Sequence, residues 1–97
     1  MIKHFDGKDF NKEVSEGVVL VDFYADWCGP CQMMGKVLEG IEEINVLKVN
    51  TDEYTDLALN YGIMSIPTLI LFKNGSAVDK LIGLQSKEDI IKFVKGE

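Results

Sequence analysis

Residues Val18 to Ala25 form an almost unbroken apolar run, interrupted by a single charge at Asp22. A strand with one wet face alternates apolar and polar residues. A continuous run marks a strand covered on both faces, as in a parallel sheet between layers of helix. Such a strand constrains the fold, because the remaining chain must supply cover for two sides.

The rest of the chain supplies it. Ile2 to Phe5 reads as a short strand. Asp6 is a candidate cap for a helix carrying Phe10 and Val14 at i, i+4 and ending near Gly17. After the apolar strand, Met33, Met34, Val37, Leu38, Ile41 and Ile44 recur at helical spacing. That helix starts near Cys28, tolerates Pro30 in its first turn, and is expected to end by Ile44. Gly35 and Gly40 lie inside it, each less favourable than Ala by roughly 1 kcal/mol. Val46 to Asn50 reads as a strand. Asp52 is a candidate cap for a short helix with Leu57, Ala58 and Tyr61, closed by Gly62. Thr68 to Phe72 and Ala77 to Ile82 read as an antiparallel pair joined at Asn74-Gly75, a strong hairpin signal. Ser86 and Asp89 resemble a capping box opening a last helix with Ile90, Phe93 and Val94 inward. Strands alternating with helices predict the α/β class: a central sheet, parallel in its first half, with helices on both faces. Residues 1–97 are expected to form one domain, since 97 residues allow one hydrophobic core.

Composition excludes several functions. Sixteen acids oppose ten lysines, there is no arginine, and the net charge is −6. Nucleic-acid binders present a basic face and Arg forks, so nucleic acid is not an expected ligand, nor is an anionic membrane surface. No apolar run approaches the roughly 20 residues that span a bilayer. Met1 to Asp6 lacks the apolar core of a signal peptide, so a cytoplasmic location is expected.

The two cysteines, Cys28 and Cys31, are separated only by Gly29 and Pro30. A loop this small restricts the unfolded chain little, so the pair is a poor structural staple. In a reducing compartment it points to redox chemistry or metal binding. A zinc site needs about four ligands, and His4 is the only other soft donor, so no metal is expected. A redox role fits the position better. A cysteine at a helix N-terminus meets unpaired N–H groups and the positive end of the macrodipole, and both favour thiolate. Cys31 follows one turn later. Cys28 can attack a disulfide as nucleophile, and Cys31 can then resolve the mixed disulfide.

Trp27-Cys28-Gly29-Pro30-Cys31 resembles the thioredoxin family's active site. The likeness extends along the chain: Val21-Asp22-Phe23-Tyr24-Ala25, Lys48 and Asp52, Tyr61-Gly62-Ile63, Ile66-Pro67-Thr68, Phe72-Lys73-Asn74-Gly75 and Gly83. Tyr24 and Gly35 depart from it, standing where many members carry a second Trp and a proline that kinks the active-site helix. The resemblance implies a thioredoxin fold, a mixed five-stranded sheet flanked by four helices. It implies a protein-disulfide reductant that is recycled by a thioredoxin reductase. Such a protein is a monomer and needs no cofactor beyond its redox-active Cys28–Cys31 disulfide.

Asp22 has two readings. On a period-2 count it shares a face with Val18, Leu20 and Tyr24, where an unpaired carboxylate is costly and its pKa rises. It is either a hydrogen-bonded carboxylate at the wet end of the strand or an acid/base poised near neutral pH. The resemblance implies the second, with Asp22 taking the proton of Cys31 through water. It casts Lys48, otherwise a solvated strand lysine, as the group that tunes Asp22. Pro67 would ordinarily be trans. The resemblance implies a cis-proline facing the cysteines and an Ile66 backbone free to pair with an extended substrate. The apolar residues Trp27, Gly29, Pro30, Ile66 and Gly83 are the expected docking surface. A thiol oxidase or isomerase on the same fold, and a binding module with incidental thiols, remain alternatives.

Overall fold

The strand read from Val18 to Ala25 lies at the centre of a five-stranded sheet in the computed structural model, which describes residues 1–97. In chain order the elements are β1 (Ile2–His4), α1 (Phe10–Glu13), β2 (Val18–Tyr24), α2 (Gly29–Glu39) and β3 (Asn45–Asn50). They continue with α3 (Thr55–Asn60), β4 (Thr68–Lys73), β5 (Ser76–Ile82) and α4 (Lys87–Lys95). The sheet order is β1-β3-β2-β4-β5. The first three strands are mutually parallel, β4 runs antiparallel to β2, and β5 antiparallel to β4.

The apolar continuity of β2 reflects cover on both sides. Its odd positions, Val19, Val21 and Phe23, join Phe5, Phe10, Val14, Leu47, Val49, Ala58, Ile70 and Phe72 in one core. Its even position Leu20 joins Met34, Leu38, Ile41, Val46, Leu69, Leu71 and Ile90 in the other. Thus α1 and α3 cover one face, and α2 and α4 the other. This alternation puts Asp22 on the α2 side, where its parallel-strand partner is Lys48.

Four local expectations are corrected. The cap of α1 is Asp9, whose side chain accepts from the Lys12 N–H, while Asp6 makes a tight turn by accepting from the Lys8 N–H. The long helix stops at Glu39, short of the Ile41 and Ile44 read into its period. Its hydrophobic period continues because the following turn, held by the Gly40 and Ile41 N–H groups on Val37 and Leu38 carbonyls, still delivers Ile41 to the core. Met33, read with the core, is 57% exposed, and Met34 alone of that pair is buried. Asp52 does not cap α3, whose N-cap is Tyr54 without a side-chain bond.

The topology gathers one end of the sheet into a site. β1, β2 and β3 all finish there. β4, running the other way, begins there, with Thr68 opposite Phe23. β5 returns to it, with Ile82 opposite Thr68. Segments distant in sequence therefore meet: the end of β2 with Cys28, the Ile66-Pro67 approach to β4, and Gly83 after β5. Open α/β sheets bind their ligands at this kind of edge, beyond the carboxyl ends of the parallel strands.

Candidate active site

Cys28 is the N-cap of α2 and has extended backbone geometry. Gly29 and Pro30 form the first turn, where Pro30 forfeits no intrahelical bond. The turn brings Cys31 back under Cys28. Their Cα atoms are 5.2 Å apart and the sulfurs are joined in a disulfide. The Cys31 N–H donates to Cys28 Sγ at 3.2 Å, so a backbone donor at the positive end of the helix is already aimed at that sulfur. Both cysteines are buried, at 5% and 2% exposure, while Gly29 and Pro30 are exposed.

The Ile66–Pro67 peptide bond is cis. Its turn is held by Thr68 Oγ1 donating to the Ser65 carbonyl at 2.7 Å. The Ile66 carbonyl oxygen lies 3.9 Å from Cys28 Sγ, and the Pro67 carbonyl accepts from the Gly83 N–H at 2.8 Å. Pro67 is buried and Ile66 half-buried. Trp27 is 72% exposed, and its Nε1–H donates to Asp52 Oδ2 at 2.9 Å. Trp27, Gly29, Pro30, Ile66 and Gly83 thus come to one end of the molecule around the sulfurs.

Asp22 lies in the interior at 0% exposure, and neither carboxylate oxygen has a hydrogen-bond partner. That removes the reading of a hydrogen-bonded carboxylate at a wet strand end. The Lys48 ammonium stands 3.5 Å from Asp22 Oδ2 with its side chain 13% exposed, so Lys48 is no freely solvated lysine. Burial pushes the Asp22 pKa up to about 6, against the opposing pull of the Lys48 charge. Lys48 also lines a cleft of about 480 Å³ with Cys31, Tyr24, Gly35 and His4. The ammonium therefore stands between a surface cleft that reaches the second cysteine and the carboxylate behind it.

Three contacts here escape a reading of the sequence. Asp52, assigned as a helix cap, instead orients Trp27. Tyr24, noted only as a departure, places its ring 4.5 Å from the Lys48 Nζ. Gly35, noted as a weak helix residue and a departure from the family pattern, faces the same ammonium. A signal for the Tyr24 contact does exist, since Tyr24 and Asp22 share a strand face and Lys48 is predicted on an adjacent strand. The other two depend on how α2 and the loop after β3 pack.

Known proteins agree with this site over nearly the full chain. A family model described as thioredoxin matches residues 1–96. A thioredoxin from Chlamydia caviae is 44% identical over 98 aligned residues, covering 97% of this chain and 96% of the relative. One from Staphylococcus aureus is 48% identical over 91 residues, covering 89% and 88%. Among solved structures, a mutant thioredoxin from Halobacterium salinarum superposes with a TM-score of 0.89 at 37% identity, covering 98% of this chain and 88% of that one. The Malassezia sympodialis thioredoxin gives 0.85 at 33% identity, covering 99% and 90%. With its cysteine pair at the sheet end of the fold these relatives share, the chain belongs to the thioredoxin family and is a protein-disulfide oxidoreductase working through Cys28 and Cys31.

Proposed function

We propose that the chain runs as a reductant of protein disulfides, with Cys28 as nucleophile, Cys31 as resolving thiol and Asp22 as the acid/base. The observation that carries this is the Cys31 N–H aimed at Cys28 Sγ at the N-terminus of α2. In the reduced protein that donor and the helix dipole stabilise a Cys28 thiolate. The thiolate attacks one sulfur of a target disulfide. A Cys28–target S–S bond forms, the target bond breaks, and the first target thiolate leaves. Cys31 then gives its proton to Asp22, relayed by water, and attacks Cys28 Sγ. The Cys28–Cys31 bond forms and the second target thiolate leaves, taking up the proton. Two electrons pass from the dithiol to the target disulfide. Lys48 tunes Asp22 by favouring its ionised form.

An extended target segment pairs with the Ile66 backbone before Pro67, beside Trp27, Gly29, Pro30 and Gly83. The acidic surface and the apolar rim support a protein partner and not nucleic acid or membrane. No helix is long and apolar enough to cross a membrane. Family membership supports the remaining proposals: residues 1–97 as a single domain, a monomeric cytoplasmic carrier without a further cofactor, and re-reduction by a thioredoxin reductase.

The test is insulin-disulfide reduction, first driven by dithiothreitol and then by a thioredoxin reductase with its reductant, with the redox equilibrium against glutathione measured in parallel. Wild type is expected to turn over with both, Cys28→Ser to be inactive, and Cys31→Ser to accumulate a mixed disulfide with the target. A potential in the range of the disulfide oxidants would overturn the reducing direction. Failure with reductase alone would overturn only the recycling partner.

A further inference from the structure

The Lys48 ammonium is held from three sides. Asp22 Oδ2 lies 3.5 Å away, and the Tyr24 ring centroid lies 4.5 Å away. On the third side is Gly35, where a Cβ would stand 3.2 Å from Nζ and would meet no other atom within 4 Å beyond its chain neighbours and its own helix turn. Gly35 sits one helical turn beyond Cys31, so this notch opens on the same face of α2 that carries the second cysteine. A glycine inside a helix is unfavourable, which makes the notch a feature that local helix stability does not explain. Tyr24 is itself anchored, with its hydroxyl 3.4 Å from His4 Nδ1 and the two rings edge to face.

We propose that Tyr24 and Gly35 are positioning residues: the ring face and the notch together cage the Lys48 ammonium against Asp22, and so tune the carboxylate that serves Cys31. A lysine side chain has many rotamers, and an ion pair 3.5 Å long without a hydrogen bond does little to select one. The ring quadrupole attracts the cation from one side. The missing side chain at Gly35 leaves room for it on another. Held there, the positive charge favours ionised Asp22. Released into the cleft, it is screened by water and Asp22 keeps its proton to higher pH. The other titratable and charged groups around this cleft are His4 of β1, Asp26 beyond β2, and Lys36 and Glu39 of α2, with Cys31 held in the disulfide. None of them replaces the ammonium 3.5 Å from the carboxylate.

The consequence for turnover rests on the acid/base role proposed above for Asp22, and the experiment separates the two. The Asp22 carboxyl is titrated directly by ¹³C NMR in the oxidised protein, and insulin reduction is followed over the same pH range. Tyr24→Phe keeps the ring and is expected to leave the carboxyl midpoint in place. Tyr24→Leu is expected to raise it by roughly half a pH unit, a threefold change in acidity, and Tyr24→Trp to restore it. Gly35→Ala, which favours the helix and so keeps the fold, is expected to raise it by a smaller amount. Lys48→Met raises it furthest, and adding Tyr24→Leu to that variant then changes nothing more. A Tyr24→Leu shift that persists without the lysine would overturn the cage, because the ring would be acting by burial alone. An unmoved midpoint in both Tyr24→Leu and Gly35→Ala would also overturn it. Carboxyl midpoints that move as expected, with a turnover profile that ignores them, would uphold the cage and overturn the role proposed for Asp22.

Discussion

Asp22 is where stability and chemistry pull apart. Its carboxylate is fully buried without a hydrogen bond, opposed by one ammonium at 3.5 Å. Because burial outweighs that ammonium, its pKa in the folded chain rises from 3.8 to about 6. The folded state thus binds a proton that the unfolded chain has already lost across that interval. Stability is therefore greatest below the unfolded value, falls as pH climbs through the folded value, and levels off above it. That rise is worth on the order of 3 kcal/mol at neutral pH. Asp22→Asn is expected to recover on the order of 1–3 kcal/mol at pH 7, the range reflecting the unpaired Lys48 it leaves behind, and to flatten the decline. Urea unfolding at several pH values measures both. An Asn variant no more stable than wild type at neutral pH would contradict the burial argument. The buried face was legible from period-2 counting. The absence of any hydrogen bond to Asp22 was not, because it depends on which neighbours surround the carboxylate in space.

At the scale of elements, termini and turns do much of the specifying. Ser86 accepts from the Asp89 N–H at 3.1 Å, and α4 closes at Gly96 in a left-handed conformation. Ser86→Ala is expected to cost about 1 kcal/mol, read from the denaturant midpoint, with the redox equilibrium unchanged because no α4 residue packs in the cluster around the cysteines. The hairpin depends on backbone handedness instead. Asn74 and Gly75 have φ of 49° and 90°, the paired positive values of a tight turn between antiparallel strands. Asn74 also clasps the start of β2: its N–H donates to the Gly17 carbonyl, and its Oδ1 accepts from the Gly17 N–H, both at 2.9 Å. Gly75→Ala forces a Cβ into that φ and is expected to cost about 1–2 kcal/mol by the same measurement. Both signals were readable because they act within a few residues. The misplaced helix start at Asp6 and the overlong α2 show the limit of such reading. Asp6 and Asp9 are equally good capping residues by type, and a turn that buries Ile41 continues an apolar period as well as a helix does.

At the scale of the molecule, the site is assembled by topology. Trp27, Leu59 and Met64, all strongly exposed, border an apolar groove of about 270 Å³ that runs beside Ile66. Trp27 presents its ring there while Asp52 holds its indole N–H. Trp27→Ala is expected to raise KM for insulin about fivefold, while reduction of a small disulfide such as hydroxyethyl disulfide changes little. Asp52→Ala is expected to act in the same direction but more weakly. Equal losses on both substrates would mean that the indole serves the thiols and not docking. The local pattern of this chain determined its element order, its two-faced sheet, the cysteine pair at a helix start and the charge in the central strand. Those follow from side-chain periodicity and capping chemistry, which operate between near neighbours. Only the tertiary structure decided that the Ile66 carbonyl stands 3.9 Å from Cys28 Sγ, that Asp52 orients Trp27, and that the Lys48 ammonium lies over the Tyr24 ring beside Gly35. Those contacts join residues tens of positions apart, and strand direction and helix packing, not local propensity, bring them within a few ångströms.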